Sequence, residues 1–302
     1  MKQNLRKKAL VPAIAMVVAS VIALSGVTYA WFTTGNTASV TGLDVNVQTA
    51  NGIQISLDAA SWRSVITADD IVTAINTNAY SNVVMQYPAG EIAPVSSAGN
   101  VVNGKLEMFY GEYNKDGTLR SEAEVEQTRT SGGNFVAFDL FFKSSMDQVL
   151  TLNLGDTASF VQGTAALGGS ANVGTEKAVR VAFLPMGSAA SPAAARGLTG
   201  EGDIVIWEPN ASSRADGVEA DAGKLAYKGF KAGFDAVAEN ELGDEQVQAV
   251  ETVNDAIDFN LKAGINKIRV YIWLEGQDVD CINNISFGDF TTNLAFSVPE
   301  VE

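Results

Sequence analysis

The stretch KIRVYIWLEG, residues 267–276, decides the fold that we expect for this chain. Its residues alternate between two sets, with Ile268, Val270, Ile272 and Leu274 in one and Arg269, Tyr271, Trp273 and Glu275 in the other. Successive side chains of a β-strand point to opposite faces, so the two sets lie on opposite faces of one strand. The pattern predicts one buried face and one wetter face, as is typical of antiparallel sheets.

Similar segments of alternating or aromatic-rich sequence recur along the chain, separated by turns rich in Gly, Asn, Asp and Ser. They lie at 38–49, 52–57, 105–113, 134–144, 148–154, 178–184, 203–210, 256–261 and 290–298. Asp116-Gly117, inside YNKDGTL, is a hairpin signal. Many short strands without regular helices between them predict an all-β fold, specifically an antiparallel jelly roll or β-sandwich.

Two segments with helical features predict one or two peripheral helices. TADDIVTAINTNAYS, residues 67–81, places Thr67 three residues before Asp70, which approximates a capping box. GDEQVQAVETVNDA, residues 243–256, carries acids in its first turn, where they suit the helix dipole. Both helices are expected to cross one end or flank of the sandwich.

Residues 31–302 are expected to form a single elaborated β-sandwich domain. Long loops rich in Gly, Ala, Ser and Pro are expected near 88–104, 163–177 and 187–203, exposed and mobile. The last of these is the candidate linker, but strands of the same style lie on both sides of it. We therefore expect it to be a loop within one domain.

The composition excludes several classes of function. The chain has no histidine, which removes Ser-His-Asp and Cys-His mechanisms and the commonest metal ligand. Its formal net charge of −15 repels phosphate backbones, so we expect no nucleic-acid partner. Its one cysteine, Cys281, cannot form an intramolecular disulfide and is expected to be a buried small hydrophobe.

The first 30 residues have the pattern of an export signal. A basic start precedes an uncharged stretch at 9–27, and small residues lead up to Ala30. The pattern predicts an N-terminal signal helix, cleavage between Ala30 and Trp31 by a signal peptidase, and a secreted or cell-surface protein. The alternative is an uncleaved anchor, because 19 apolar residues can just span a bilayer.

Two candidate ligand sites have an ordinary structural alternative. Glu275, Asp278 and Asp280 could bind Ca²⁺ through their carboxylates, but a solvated acidic turn explains them equally well. Beyond this calcium, no cofactor is expected. Trp62, Trp207 and Trp273 could form a sugar-binding platform, but each lies in or beside an apolar segment, which favours packing in a core or sheet.

The junction GVTYAWFTTGNTASVTGLDVNV, residues 26–47, resembles the leader and first strand of the TasA/camelysin family of Firmicutes. Gly26 and the run 28–32 match the leader's end and its aromatic pair, and Ala38, Gly42 and Leu43 match the start of the strand. Thr33-Thr34 departs from the family, which usually has an acidic residue there. The resemblance covers about the first 50 residues in detail.

The resemblance implies a jelly-roll subunit of extracellular filaments in a biofilm matrix. In such fibres the N-terminal strand of one subunit completes the sheet of the next, so the expected partner is a second copy of the chain. The donor-strand candidates are Ala38, Val40, Leu43, Val45 and Val47. The alternative is that this strand pairs within its own sheet, since both arrangements use the same ladder bonds.

Two other functions stay open beside this one. The first is a cell-surface binding module that recognises glycans or a host surface through its long loops. The second is a secreted hydrolase that uses carboxylates alone. Because no motif frames an acid pair, we expect that the protein is not an enzyme.

Overall fold

The computed structural model describes most of the chain after residue 37. The described residues are 38–47, 53–77, 84–95, 97, 101–113, 119–124, 129–154, 158–164, 174–200, 203–210, 248–250, 256–275, 281 and 288–298. The predicted signal helix and the processing junction Ala30–Trp31 lie outside them.

Strands dominate this part of the chain. They are β1 Ala38–Val47, β2 Gln54–Ser56, β3 Val65–Thr67, β4 Met85–Gln86, β5 Val101–Val102, β6 Lys105–Leu106, β7 Met108–Tyr113, β8 Leu119–Glu124, β9 Arg129–Thr130, β10 Val136–Ser144, β11 Gln148–Asn153, β12 Phe160–Thr164, β13 Val179–Ala189, β14 Val205–Trp207, β15 Gln248–Val250, β16 Ala256–Leu261, β17 Gly264–Leu274 and β18 Gly288–Ser297. The helices are α1 Ala68–Thr77, α2 Pro192–Arg196 and a 3₁₀ turn at Thr175–Ala178.

Most strands belong to two sheets. We call the six-stranded sheet, in the order β16-β11-β18-β1-β3 with β12 also beside β18, the outer sheet. We call the eight-stranded sheet, in the order β15-β14-β13-β17-β10-β4-β9 with β2 also beside β10, the central sheet. The hairpin predicted around 113–119 is confirmed, because β7 and β8 pair from Met108–Glu124 to Tyr113–Leu119.

The two sheets share one apolar core. Alternating residues of both contribute to it, among them Ile53, Ile55 and Leu57 of the alternating segment 52–57. Phe142 of the central sheet packs edge-to-face on Phe296 of the outer sheet at 5.1 Å between ring centroids. Phe183 and Phe259 make a similar contact at 5.5 Å. The mostly β, largely antiparallel fold expected from the alternation is thus confirmed, in a sandwich-like arrangement.

The wetter face predicted for β17 is wrong, because the central sheet is buried on both sides. Tyr271 and Trp273 belong to a second core, with residues from segments 84–108 and 182–206. Arg269 and Glu275 are buried on the same face. The error arose because polar side chains were expected to face water, whereas here they meet buried partners.

Parallel pairing is the second departure from expectation. β1 runs parallel to β18, β14 parallel to β15, and β4 parallel to β9. The remaining strand pairs are antiparallel. The parallel β1–β18 pair joins the first and last described strands, which brings the two ends of the described chain into one sheet.

The first predicted helix is confirmed and the second is wrong in part. Helix α1 begins after Thr67, whose backbone N–H donates to Asp70 Oδ2 at 3.0 Å while Asp70 N–H donates to Thr67 Oγ1 at 3.4 Å, the reciprocal contacts of a capping box. In the second segment Gln248–Val250 is a strand paired with β14. No helix in the described residues is long and apolar enough to cross a membrane.

The three predicted loops contain more order than expected. Segment 88–104 places Ile92 and Val95 in the cores and forms β5. Segment 163–177 includes the end of β12 and the start of the 3₁₀ turn. Segment 187–203 continues β13 to Ala189 and then forms α2, where Ala195 is buried, whereas residues 190–194 are exposed as predicted.

Candidate functional site: the first strand and its slot

Strand β1 is held mainly by residues far away in sequence. It pairs with β18 from Ala38–Gly288 to Val47–Phe296, and on its other side β3 pairs with Asp44–Asn46. Ala38 also exchanges two backbone hydrogen bonds with Ile92, at 3.0 and 2.6 Å. We call the position between β18 and β3 the slot of β1.

The donor-strand candidates lie on the core face of β1. Ala38, Leu43, Val45 and Val47 are buried, and Val40 is half-buried against the same core. Residues 38 and 40 differ in phase from residues 43, 45 and 47. Both sets still face the core because the pairing with β18 shifts by one residue between Val40 and Gly42. Thr41 is the extra residue and has no opposite residue on β18. The break in alternation at Gly42 is therefore a β-bulge.

Polar side-chain contacts also hold β1 in place, two of them to β18 and one to Tyr87. Asn46 Nδ2 donates to Asn293 Oδ1 at 3.1 Å, and Thr41 Oγ1 donates to the Phe290 carbonyl at 3.2 Å. Tyr87 Oη donates to the Val40 carbonyl at 3.2 Å. Burial, with a smaller contribution from Asp69, raises the pKa of Tyr87 to about 12, so the phenol remains a donor at physiological pH.

The calcium candidates are not assembled within the described residues. Glu275 is buried, and its Oε2 accepts from Trp273 Nε1 at 3.0 Å and from the Ser97 amide at 3.4 Å. Asp278 and Asp280 lie outside the described residues. Within the part of the chain that the structure describes, no group of three or more acidic, Cys or His side chains could hold a metal ion. The calcium site stays a prediction.

The three tryptophans do not form a surface platform. Trp207 and Trp273 are buried in different cores, which confirms the packing alternative for both. Trp62 is half-buried, and Lys143 Nζ lies 5.8 Å from its ring centroid. Cys281 is buried, as expected for a small hydrophobe.

Sequence reasoning missed a buried ionic cluster on the central sheet. Asp139 accepts from Arg269 Nε at 2.6 Å and from Lys267 Nζ at 2.9 Å. The same carboxylate accepts from the Val84 amide at 2.9 Å. Lys267 also donates to the carbonyls of Arg196 and Leu198, both at 3.1 Å, which ties the end of α2 to the sheet.

A second buried ion pair lies on the same face. Arg180 Nη2 is 3.2 Å from Glu208 Oε1, and both side chains are fully buried. Buried charges require partners, so the Asp139 cluster holds its covering segments in place, and the Arg180–Glu208 pair links β13 to the end of β14. The sequence did contain a signal, because each of these apolar strands carries a charged residue. The alternating pattern led us to expect those charged residues on a solvent-facing side.

A small polar groove lies beside α1. Its cavity of about 170 Å³ is lined by Asp58, Arg63, Asp70 and their neighbours. Burial raises the pKa of Asp58, but hydrogen bonds from Ser61, Ser56 and Ala60 outweigh it and leave the pKa lowered. These bonds close the 58–61 turn, so the carboxylate is already used by its own loop.

Comparisons with protein-family models, with curated proteins and with solved structures found no significant match for this chain.

Proposed function

We propose that this protein is an exported structural subunit of extracellular filaments, assembled when β1 of one copy fills the slot of the next. The observation that carries the proposal is the place of β1 in the fold. It is the first described strand, yet its main partner comprises residues 288–296. A second copy presents the same slot, so the same contacts can form between chains.

The energetics of β1 support an exchange of this kind. Its core face is apolar, and removal of the strand would expose that face and unpaired groups of β18. An emptied slot therefore favours refilling by an identical strand. Each subunit would then give one strand to the next copy and receive one from the previous copy, which generates an open chain when the rotation between copies does not close a ring.

The finer class of the fold belongs to the same proposal. We propose that the sandwich-like arrangement is a jelly roll, and that residues 1–30 form a signal helix removed between Ala30 and Trp31 to free the N-terminal strand. The protein then acts at the cell surface or in a biofilm matrix. These assignments rest on the resemblance of residues 26–47.

A reversible disulfide tests strand donation directly. Asp44 and Asn293 lie opposite each other in the β1–β18 ladder. Neighbouring strands are about 4.8 Å apart, within the Cα separation of about 4.4–6.8 Å that disulfides need. We would combine Asp44→Cys and Asn293→Cys with Cys281→Ser in the chain 31–302.

Oxidation before assembly should lock β1 in its own slot and prevent filaments in negative-stain electron microscopy, and reductant should restore them. Oxidation after assembly should join neighbouring subunits into a covalent ladder on a non-reducing gel. Each single-cysteine variant is the control. Cross-links confined to single chains inside preformed filaments would contradict strand donation.

A further inference from the structure

Thr292 places a polar group beside β1, on the neighbouring strand β18. It lies on β18 opposite Leu43 of β1 and Val161 of β12. Phe290 and Leu294, two residues before and after it, belong to the apolar core, so Thr292 faces that core as well. It is 3% exposed, and its Oγ1 has no hydrogen-bond partner among the described residues.

A buried hydroxyl without a partner lowers the stability of the state that buries it. Part of this loss falls on the seam between β1 and β18, because Leu43 of β1 is one of the two residues that flank Thr292 within the sheet. Release of β1 would let water reach the hydroxyl. The group therefore favours the open slot relative to the same slot lined by an apolar residue of equal shape.

The β-bulge lies at the same place along the seam. Thr41 is the extra residue between the Val40–Phe290 and Gly42–Thr291 pairs, and the Leu43–Thr292 pair follows next along the ladder. An added Cβ at Gly42 would lie 3.3 Å from Thr291 Cγ2, so a larger residue would strain the contact. Glycine also adds backbone entropy to the released strand.

We infer that Thr292 and the Thr41 bulge form a weak point in the β1–β18 seam that lets β1 leave its own slot. The release itself is a property of the single chain. Its use in assembly rests on the proposed strand donation, for which the incoming partner is β1 of a second copy.

Hydrogen–deuterium exchange of the unassembled full chain tests the weak point. In the parent chain, amides of β1 should exchange faster than those of β17 through local opening. Thr292→Val should slow exchange of β1 by about tenfold, because it keeps the branched shape and removes the unpartnered hydroxyl. Thr291→Val is the matched control and should change it by less than about twofold, since Thr291 is half-exposed on the other face.

Deletion of Thr41 provides a second, independent variant. The Val40 and Gly42 pairs are already consecutive on β18, so the deletion leaves every other pair in place. The deletion removes the Thr41 Oγ1 bond to the Phe290 carbonyl, but the uninterrupted ladder should outweigh that loss and slow exchange of β1. If Thr292→Val and the deletion both leave β1 exchange at the parent rate, or if β1 and β17 exchange equally in the parent chain, the weak point does not exist.

Filament growth by the same variants separates the two proposals. Slower β1 exchange together with slower filament growth supports both. Slower β1 exchange with filament growth at the parent rate keeps the weak point and rejects strand donation. Unchanged β1 exchange with inter-subunit cross-links in the disulfide experiment rejects the weak point and keeps strand donation.

Discussion

The β10–β17 pair and the β1–β18 pair place polar groups beside an apolar core in opposite ways. β10 and β17 are antiparallel and pair without a register shift from Val136–Ile272 to Ser144–Gly264. Their buried charges meet in the Asp139 cluster. β1 and β18 are parallel, interrupted by a bulge, and enclose the hydroxyl of Thr292 without a partner in the described chain.

The difference indicates which strand pair we expect to open more readily. A satisfied buried network fixes one arrangement, because every alternative leaves a charge unpaired. A seam that contains an unpartnered hydroxyl and a bulge loses less stabilising free energy when its two strands separate. We therefore expect the central sheet to be the more rigid part of the fold, and the β1 edge of the outer sheet to be the part from which the proposed exchange takes its strand.

The largest effect is expected from breaking the Asp139 cluster. Asp139→Asn keeps the shape of the side chain but leaves Lys267 and Arg269 buried without their anion. Removing one partner of a buried ion pair typically costs about 3–5 kcal/mol. Urea denaturation followed by intrinsic fluorescence should show this loss in the free energy of unfolding.

The matched control for that variant is Asp147→Asn. Asp147 pairs with Lys262 at 2.9 Å, but both side chains are 63% exposed. Solvent screens such a pair, so the control should change stability far less. Equal losses in the two variants would show that the buried cluster does not stabilise the central sheet.

A smaller loss is expected from Trp273→Phe in the second core. Phenylalanine fills most of the ring volume but cannot donate to Glu275 Oε2, which accepts from Trp273 Nε1 at 3.0 Å. The variant should lose about 2 kcal/mol of unfolding free energy in the same urea assay. Trp62→Phe, at a half-buried ring, is the control, and a loss there as large would contradict the role of the Trp273–Glu275 bond.

Alternation along the strands sufficed to predict the first core. Leu150 and Leu152, two residues apart in an alternating segment, both face it, and the change of phase near Gly42 lies at the bulge. The second core could not be predicted in this way. Arg269 reads as a solvent-facing residue until Asp139, 130 positions away, is known to lie beside it.

For the candidate site, the sequence predicts which residues of β1 face the core, but it does not predict which strand pairs with β1. The core face of β1 follows from the residues at 38–47. Its parallel pairing with β18 depends on a contact between residues about 250 positions apart, such as Ala38 and Gly288, which no local pattern specifies. Likewise, Gln248–Val250 looked helical beside acidic residues, but pairing with β14 overrides that local preference.

Removal of one hydrogen bond to β1 is expected to lower the free energy of unfolding by about 1 kcal/mol. Tyr87→Phe removes the hydroxyl that donates to the Val40 carbonyl at 3.2 Å. The variant should also speed hydrogen exchange of β1 about fivefold, because this bond lies on the edge that β3 leaves uncovered. Exchange of β1 at the parent rate would show that Tyr87 does not retain the strand.

The smallest effect is expected at α1, which follows the short strand β3 beside β1. Asp70 is part of the capping box and also pairs with Arg63. Burial raises the pKa of Asp70, but hydrogen bonds from Thr67 and Arg63 outweigh it, so the pKa falls below its ordinary value of 3.8. A lowered pKa in the folded state means that the carboxylate stabilises the fold above pH 3.8 and that this contribution disappears as the pH falls through the folded pKa.

Asp70→Asn should therefore cost about 0.5 kcal/mol at pH 7, a value reduced by solvent exposure, and the difference from the parent chain should vanish in acid. Asp69→Asn changes the charge of the same helical turn without touching the capping box, so a pH-dependent loss of the same size there would assign the effect to the helix dipole instead.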